Sequence, residues 1–379
     1  MSKKKFPNKT IVISAGGTGG HIFAAQAIAE KLKKENYKLH LIYDKRSLKY
    51  IEGIFCDVEK TIILTVNPKQ DLSNKIINLA LLLFSLLNII WKFLFNRPRL
   101  IISFGGYPTV PASLYAIIFC IPLVLHEQNA VLGRVNRMCL PFAKKLLLGF
   151  PMTQKVKHKY QSKVFVTGVP IRGRITKIIS RNRITTRLMN KNLKILVIGG
   201  SQGAKLFSAV VPHAIHILDP TLQNKIYITQ QVRTEHIDFV RDIYAQTNCK
   251  HSIKVFFNNI DDLYEKHDLI ISRAGASSIV EALSFQKAAI FVPFAKAMDN
   301  HQLYNAKYLS QKSDIILREE SEFSIKWLSS CIKGFVQNTK KVSEIQSSYN
   351  KQLIKLHNNS IDTFYNQIYP LLRNRPVIN

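Results

Sequence analysis

A histidine directly behind a glycine run, Gly16-Gly17-Thr18-Gly19-Gly20-His21, is the first cluster in the chain whose residue types suit chemistry. Glycines let backbone N–H groups converge on one point, and where such a turn opens a helix the simplest ligand is an anion. His21 would stand in the first helical turn, facing the same point. The turn lacks the Lys-Ser/Thr ending of a P-loop, and its spacing is not the dinucleotide fingerprint. A tight turn with a helix-start histidine and no ligand is the plainer alternative.

Comparable clusters recur. Gly105-Gly106-Tyr107-Pro108-Thr109 follows an apolar run ending at Phe104, and His126-Glu127-Gln128-Asn129 follows one ending at Leu125. Further on stand Gly199-Gly200-Ser201-Gln202-Gly203-Ala204 and Ser272-Arg273-Ala274-Gly275-Ala276-Ser277-Ser278. In the last of these Gly275 permits close backbone approach, while Ser277 and Ser278 can cap a helix or touch phosphate. Glu281, a turn later, is suited to accept two hydrogen bonds from a ribose. Equally, it could close a capping box three residues after Ser278.

The elements that must position these groups alternate in type. The runs Thr10–Ala15, Lys38–Tyr43, Leu100–Phe104, Ile121–His126 and Lys145–Leu148 read as strands between helical stretches, the first helix spanning Ile22–Lys34. The pattern restarts beyond Gly168-Val169-Pro170 with Leu193–Ile198, then Lys225–Ile228, Ile253–Phe257, Asp268–Ile271 and Ala289–Val292. Short apolar strands spaced by helices imply parallel sheets covered on both faces, with ligands beyond the carboxyl ends of the strands. The expected class is α/β, two doubly wound domains: 1–170, 171–355, and a terminal helix, 356–379, packing back on the first. Ile361, Phe364, Ile368, Tyr369 and Leu372 supply that helix's apolar face.

One segment interrupts the alternation. Ile76–Phe95 is nearly all apolar, with Lys92 its one charge, and by length it matches a bilayer span. Asn78, Ser85 and Asn88 break it, and a span would separate strands that belong to one sheet. A helix packed on the core with an apolar face at an anionic interface, flanked by Lys75, Lys92, Arg97 and Arg99, is the favoured reading.

Composition narrows the classes. The 379 residues are 46% hydrophobic and 21% charged, suiting a globular chain, and 54 Lys+Arg against 24 Asp+Glu leave +30. That charge points to polyanions: phosphorylated ligands or acidic lipid headgroups. It is spread along the chain without a nucleic-acid-binding module, so no nucleic-acid partner is expected. Five isolated cysteines without a Cys-x-x-Cys pair read as buried thiols in a reducing compartment. The basic start Met1–Lys5 is followed by an apolar run too short for a signal peptide, so a cytoplasmic protein is expected.

Taken together, Gly16–His21, Phe104–Tyr107, His126–Asn129, Gly199–Ala204, Arg273–Ser277 and Asp299-Asn300-His301-Gln302 resemble, in order, the signatures of the MurG family, peptidoglycan glycosyltransferases of family 28. The resemblance implies a GT-B fold, two Rossmann-like domains facing across a cleft. It also implies inverting transfer of GlcNAc from UDP-GlcNAc to undecaprenyl-pyrophosphoryl-MurNAc-pentapeptide (lipid I), without a cofactor. By this resemblance Ser201, Ile260, Gly275, Ala276 and Ser277 take uracil and phosphates, Glu281 the ribose, Gln302 the sugar hydroxyls and Arg172 the diphosphate charge. Thr18, Gly19, Gly20 and Asn129 would face the donor sugar, and Gly16, Gly17, Gly105, Gly106 and Tyr107 the acceptor pyrophosphate. The implied place is peripheral, on the cytoplasmic face of a bacterial inner membrane, with an anionic membrane surface and cell-wall or division proteins as partners. The family pattern is broken at Ala24, Val110 and Thr229-Gln230-Gln231-Val232. No Asp-x-Asp occurs, so no metal-bridged diphosphate is expected. His21 is the leading general base for the acceptor C4 hydroxyl and Glu127 its rival, either as base or as the group orienting His21.

Overall fold

The computed structural model describes residues 10–64, 72–172, 175, 178, 192–200, 203–257 and 259–373. The chain divides into two compact units, residues 1–173 with 356–379, and residues 174–355.

The first unit is built on β1 (Thr10–Ser14), β2 (Lys38–Asp44), β3 (Glu59–Ile63), β4 (Leu100–Ser103), β5 (Leu123–Glu127), β6 (Lys145–Leu148) and β7 (Val164–Val166). They form one sheet in the order β3-β2-β1-β4-β5-β6-β7, parallel at every pairing. Its helices are α1 (Gly19–Lys34), α2 (Leu72–Phe93), α3 (Val110–Ile118) and α4 (Arg134–Cys139). Ile11, Ile13, Leu100 and Ile102 point to one face, under α1, while Val12, Ile101 and Leu125 point to the other, under α2 and α3. Strands buried on both faces explain why they read as unbroken apolar runs.

In the second unit β8 (Leu193–Ile198), β9 (Ile226–Gln231), β10 (Lys250–Lys254), β11 (Leu269–Ser272), β12 (Ala288–Phe291) and β13 (Ile316–Leu317) form a parallel sheet ordered β10-β9-β8-β11-β12-β13. Its helices are α5 (Lys205–His216), α6 (Pro220–Gln223), α7 (Ile237–Ala245), α8 (Ile260–Lys266), α9 (Ala276–Ser284), α10 (His301–Ser310), α11 (Ile325–Gln337) and α12 (Lys340–Ser348). Then α13 (Lys351–Asn358) carries the chain across the unit boundary, and α14 (Ser360–Arg373) ends it. Buried Phe364, Ile368 and Leu372 join the α1 side of the first core, with Phe364 stacked 6.0 Å from Phe104 and Asp362 3.1 Å from Lys31.

Both sheets have the doubly wound order, reversing direction between β1 and β4 and between β8 and β11. Ligands of such sheets bind at that reversal, outside the carboxyl ends. Register aligns the strand ends there: Ser14 lies opposite Ser103, and Ile198 opposite Ser272.

Several expectations need correction. The strand expected at Ile253–Phe257 is Lys250–Lys254, because at the sheet edge it carries exposed polar residues. β3, β7 and the two-residue β13 were not foreseen for the same reason: each is an edge strand only partly buried. Cys139 and Cys249 are buried, but Cys56 and Cys120 are exposed.

α2 packs Ser85, Ile89 and Phe93 inward and leaves an apolar stripe outside. Leu79, Leu83, Leu87 and Trp91, four residues apart and 53–77% exposed, form its centre, with Phe84 beside them and Phe95 just past the helix end. No helix among the described residues is long and apolar enough to cross a membrane.

Candidate functional site

In the first unit the glycine turns after β1 and β4 meet at the reversal. A Cβ on Gly106, where φ is +84°, would lie 3.2 Å from the Gly16 carbonyl oxygen and 3.5 Å from His21 Cε1. One on Gly16 would press into Asp44 Oδ1 at 2.7 Å and Pro108 at 3.0 Å. Glycine is therefore required by close packing of two turns around the histidine.

The His21 ring is held by its Nδ1, 3.0 Å from the Gly16 carbonyl oxygen and 3.1 Å from Thr18 Oγ1. A carbonyl only accepts, so Nδ1 carries the proton and Nε2 has the basic lone pair. Asp44, fully buried at the end of β2, fixes the turn beneath. Its carboxylate accepts from the Gly17 N–H at 2.9 Å, Ser47 at 2.5 Å and Arg46 at 2.6 Å. Burial raises the Asp44 pKa, but these donors outweigh it and hold the carboxyl below its ordinary value. The sequence reading missed Asp44, since nothing local distinguishes an acid ending a strand from a loop residue.

Glu127 accepts its hydrogen bonds from its own loop and from α4. Its Oε1 accepts from the Asn129 backbone and side chain at 3.0 and 3.1 Å, and its Oε2 from Gly133 N–H at 2.8 Å and Asn136 Nδ2 at 3.0 Å. Desolvation nevertheless raises its pKa above the usual carboxylate value, the four donors opposing. This carboxylate folds the 127–133 loop. Asn136, also unforeseen, ties it to the His126 carbonyl at 3.0 Å and lies beneath Gly105. Next door, burial pushes His126 down to about 3, with Nδ1 donating to the Leu147 carbonyl, so it stays neutral. Tyr107 is half-buried beside the β4 turn, and Arg172 stacks on Phe23 of α1 with Cζ 4.7 Å from the ring centroid. Thr18 precedes α1, Gly19 and Gly20 form its first residues, and Val110 begins α3 at φ −58°, where glycine is unnecessary.

In the second unit the β8 turn is propped by Gln231, whose Oε1 accepts from the Gly199 N–H at 3.2 Å. The Thr229–Val232 departure thus contributes a structural strut. Ser201 lies outside the described residues. Across the reversal Gly275 precedes α9, with φ −66° and ψ 145°, and no serine side chain caps that helix. Ser278 is already inside α9, so Glu281, one turn further on and buried, cannot close a capping box. Among the described residues, no atom lies within 4 Å of a Cβ placed on Gly275. Gly275 stands at the N-cap of α9, a position that glycine suits better than alanine. Ala276 and Ser277 follow in the first turn of α9, where the helix dipole favours an anion. Ile260 begins α8, and Gln302, near the start of α10, accepts from the Phe294 N–H at 3.0 Å through its Oε1.

Two doubly wound parallel units with glycine turns at both reversals are the architecture of GT-B glycosyltransferases. Residues 11–148 match the glycosyltransferase family 28 N-terminal domain, and residues 194–360 the family's C-terminal domain. A UDP-N-acetylglucosamine--N-acetylmuramyl-(pentapeptide) pyrophosphoryl-undecaprenol N-acetylglucosamine transferase of Rickettsia canadensis is 36% identical over 88% of this chain and 92% of that protein. The Rickettsia bellii protein of the same name is 36% identical over 92% and 95%. The crystal structure of Acinetobacter baumannii MurG superposes with a TM-score of 0.71 at 25% identity, covering 96% of this chain and 99% of that one. A UDP-GlcNAc 2-epimerase from Neisseria meningitidis shares the fold, with a TM-score of 0.64 at 12% identity over 95% of this chain and all of that one. The chain belongs to glycosyltransferase family 28, in its MurG branch.

Proposed function

We infer that the protein transfers GlcNAc from UDP-GlcNAc to the C4 hydroxyl of lipid I. The observation that carries the reading is 36% identity over 88% of the chain to a transferase of that name. In the reaction the C4 oxygen attacks the anomeric carbon from the face opposite UDP. The C1–O bond to the β-phosphate breaks, the configuration inverts, and the hydroxyl proton goes to a base.

His21 is that base, acting through Nε2. The bond from Nδ1–H to Gly16 fixes the tautomer and strengthens as the ring gains a proton. Glu127 shapes the neighbouring loop, its oxygens being engaged by four donors. Gly16, Gly17, Gly105, Gly106 and Tyr107 receive the acceptor pyrophosphate. In the second unit the N–H groups of Gly275, Ala276 and Ser277 take donor phosphate, Glu281 the ribose, Ile260 the base, and Gln302 a sugar hydroxyl. Ser201 belongs to the same set by sequence. Thr18, Gly19, Gly20, Asn129 and Arg172 remain the first unit's candidates for the donor. Departing UDP gains charge on its phosphate oxygens, where a helix N-terminus is a fixed stabiliser.

The α2 stripe is the surface we assign to an anionic, cytoplasm-facing membrane, where lipid I would be met. Its apolar side chains and flanking cations suit an interface. The test is radiolabel transfer from UDP-GlcNAc to a short-chain muramyl-pyrophosphoryl acceptor, with and without chelator. Transfer in both supports the reading. UDP-GlcNAc hydrolysis or epimerisation without glycosylated acceptor would overturn it.

A further inference from the structure

Arg273 lies just before the Gly275 turn, yet it faces inward. One terminal nitrogen donates to the carbonyl oxygens of Val292, at 3.2 Å, and Pro293, at 3.4 Å. The same nitrogen lies 2.5 Å from Glu320 Oε1, in the segment that follows β13. Its guanidinium packs between the rings of Phe207, 5.1 Å away, and Phe294, 5.4 Å away. The arginine side chain is 10% exposed and the glutamate 26%, so the pair is largely shielded from screening.

Two further bonds run the same way. Asn305 of α10 donates to the Ala274 carbonyl at 3.1 Å, and the Phe294 N–H to Gln302 at 3.0 Å. The turn with Gly275–Ser277 and the loop with Gln302 are therefore tied together on both sides of Arg273. Lysine would not replace it, because its compact ammonium lacks the flat guanidinium face that packs against both rings.

We propose that Arg273 and Glu320 are positioning residues for the donor: the ion pair fixes the Arg273 side chain, whose bonds to the Val292 and Pro293 carbonyls hold the Phe294–Gln302 loop in register with the Gly275–Ser277 turn, so that both grip one nucleotide-sugar. This rests on the donor site assigned above. Neither side chain touches the substrate. They act by keeping two sets of ligands at a fixed spacing, which is an effect on donor affinity.

The experiment compares the native enzyme with Glu320→Ala, Glu320→Gln and Arg273→Lys, measuring KM for UDP-GlcNAc, KM for the lipid acceptor, kcat and Tm. Glu320→Ala should raise KM for UDP-GlcNAc roughly tenfold, leaving acceptor KM and kcat within about twofold, the scale of a lost coupling between contacting groups. Glu320→Gln, which keeps an acceptor oxygen without the charge, should fall between. A residue that served stability alone would lower Tm and the active fraction while leaving both KM values unchanged, and that pattern would overturn the proposal. If Arg273→Lys fails to fold, the two Glu320 variants decide. A native enzyme that transfers GlcNAc beside variants with native donor KM defeats this proposal alone. A native enzyme that neither transfers nor binds UDP-GlcNAc defeats the donor site with it.

Discussion

Gly275→Ala separates the demands of the fold from those of the ligand. At φ −66° and ψ 145° alanine fits the backbone without strain, and its Cβ meets no atom within 4 Å among the described residues. Restricting the unfolded chain stabilises by about 0.4–1 kcal/mol. Replacing glycine before a helix by the poorer alanine costs about 1 kcal/mol. The two nearly cancel, and Tm should move by no more than about 3 °C. Binding is different, because the methyl occupies the space a phosphate needs to reach the first N–H groups of α9. Losing one charge-assisted hydrogen bond, about 1.5–3 kcal/mol, should raise KM for UDP-GlcNAc roughly ten- to a hundredfold. Calorimetry with and without UDP gives an independent check. UDP at about 100 times its native Kd stabilises the native protein by about 2.7 kcal/mol, and the variant should lose most of that gain. Native KM together with native Tm would refute the reasoning, since the glycine would then serve neither fold nor ligand.

Other outcomes follow from the same geometry. His21→Ala should lower kcat at saturating acceptor by about 10²–10⁴, and a loss under about tenfold would remove it as the base. Gly106→Ala places a Cβ against Gly16 and His21 at positive φ, costing about 1–3 kcal/mol of stability, seen as a lower Tm, and reducing kcat as the ring shifts. Burial pushes His126 and His357 down to about 3, and His40 and His267 down to about 4, from 6.5. The unfolded chain therefore binds protons that the folded chain refuses. Stability is full above pH 6.5 and lost as pH falls toward 4, by about 2 kcal/mol per histidine at pH 5, so a Tm unchanged between pH 7.5 and 5 would contradict the burial. Replacing Leu83, Leu87 and Trp91 together by serine should weaken cosedimentation with anionic vesicles at least about 100-fold by removing apolar area, leaving Tm unchanged because all three are exposed.

The central strands and glycine turns were legible in the sequence because each obeys a local rule. A strand buried on both faces is an apolar run, and a turn packed against another turn admits only glycine. Edge strands obey no such rule: β10 and β13 owe their pairing to neighbours already in place. The same division runs through the site. Gly16 and His21 announce themselves, whereas Asp44 and Asn136 act on turns far along the chain, and only the sheet order brings them there. Glu127 shows the converse. Its type and position suggest chemistry, while the structure shows it accepting from four donors around its own loop.

The first unit is discontinuous, and this bears on how the protein is made. Residues 174–355 form a continuous stretch that has all its strands and helices once synthesised. The first unit, although it emerges earlier, still lacks Phe364, Ile368 and Leu372, which join the core beside α1, Phe364 stacking on Phe104. On the ribosome, where domains fold as units in order of emergence, this inverts the usual sequence of completion. The half begun first is finished last, and until α14 arrives it carries an open apolar face beside α1.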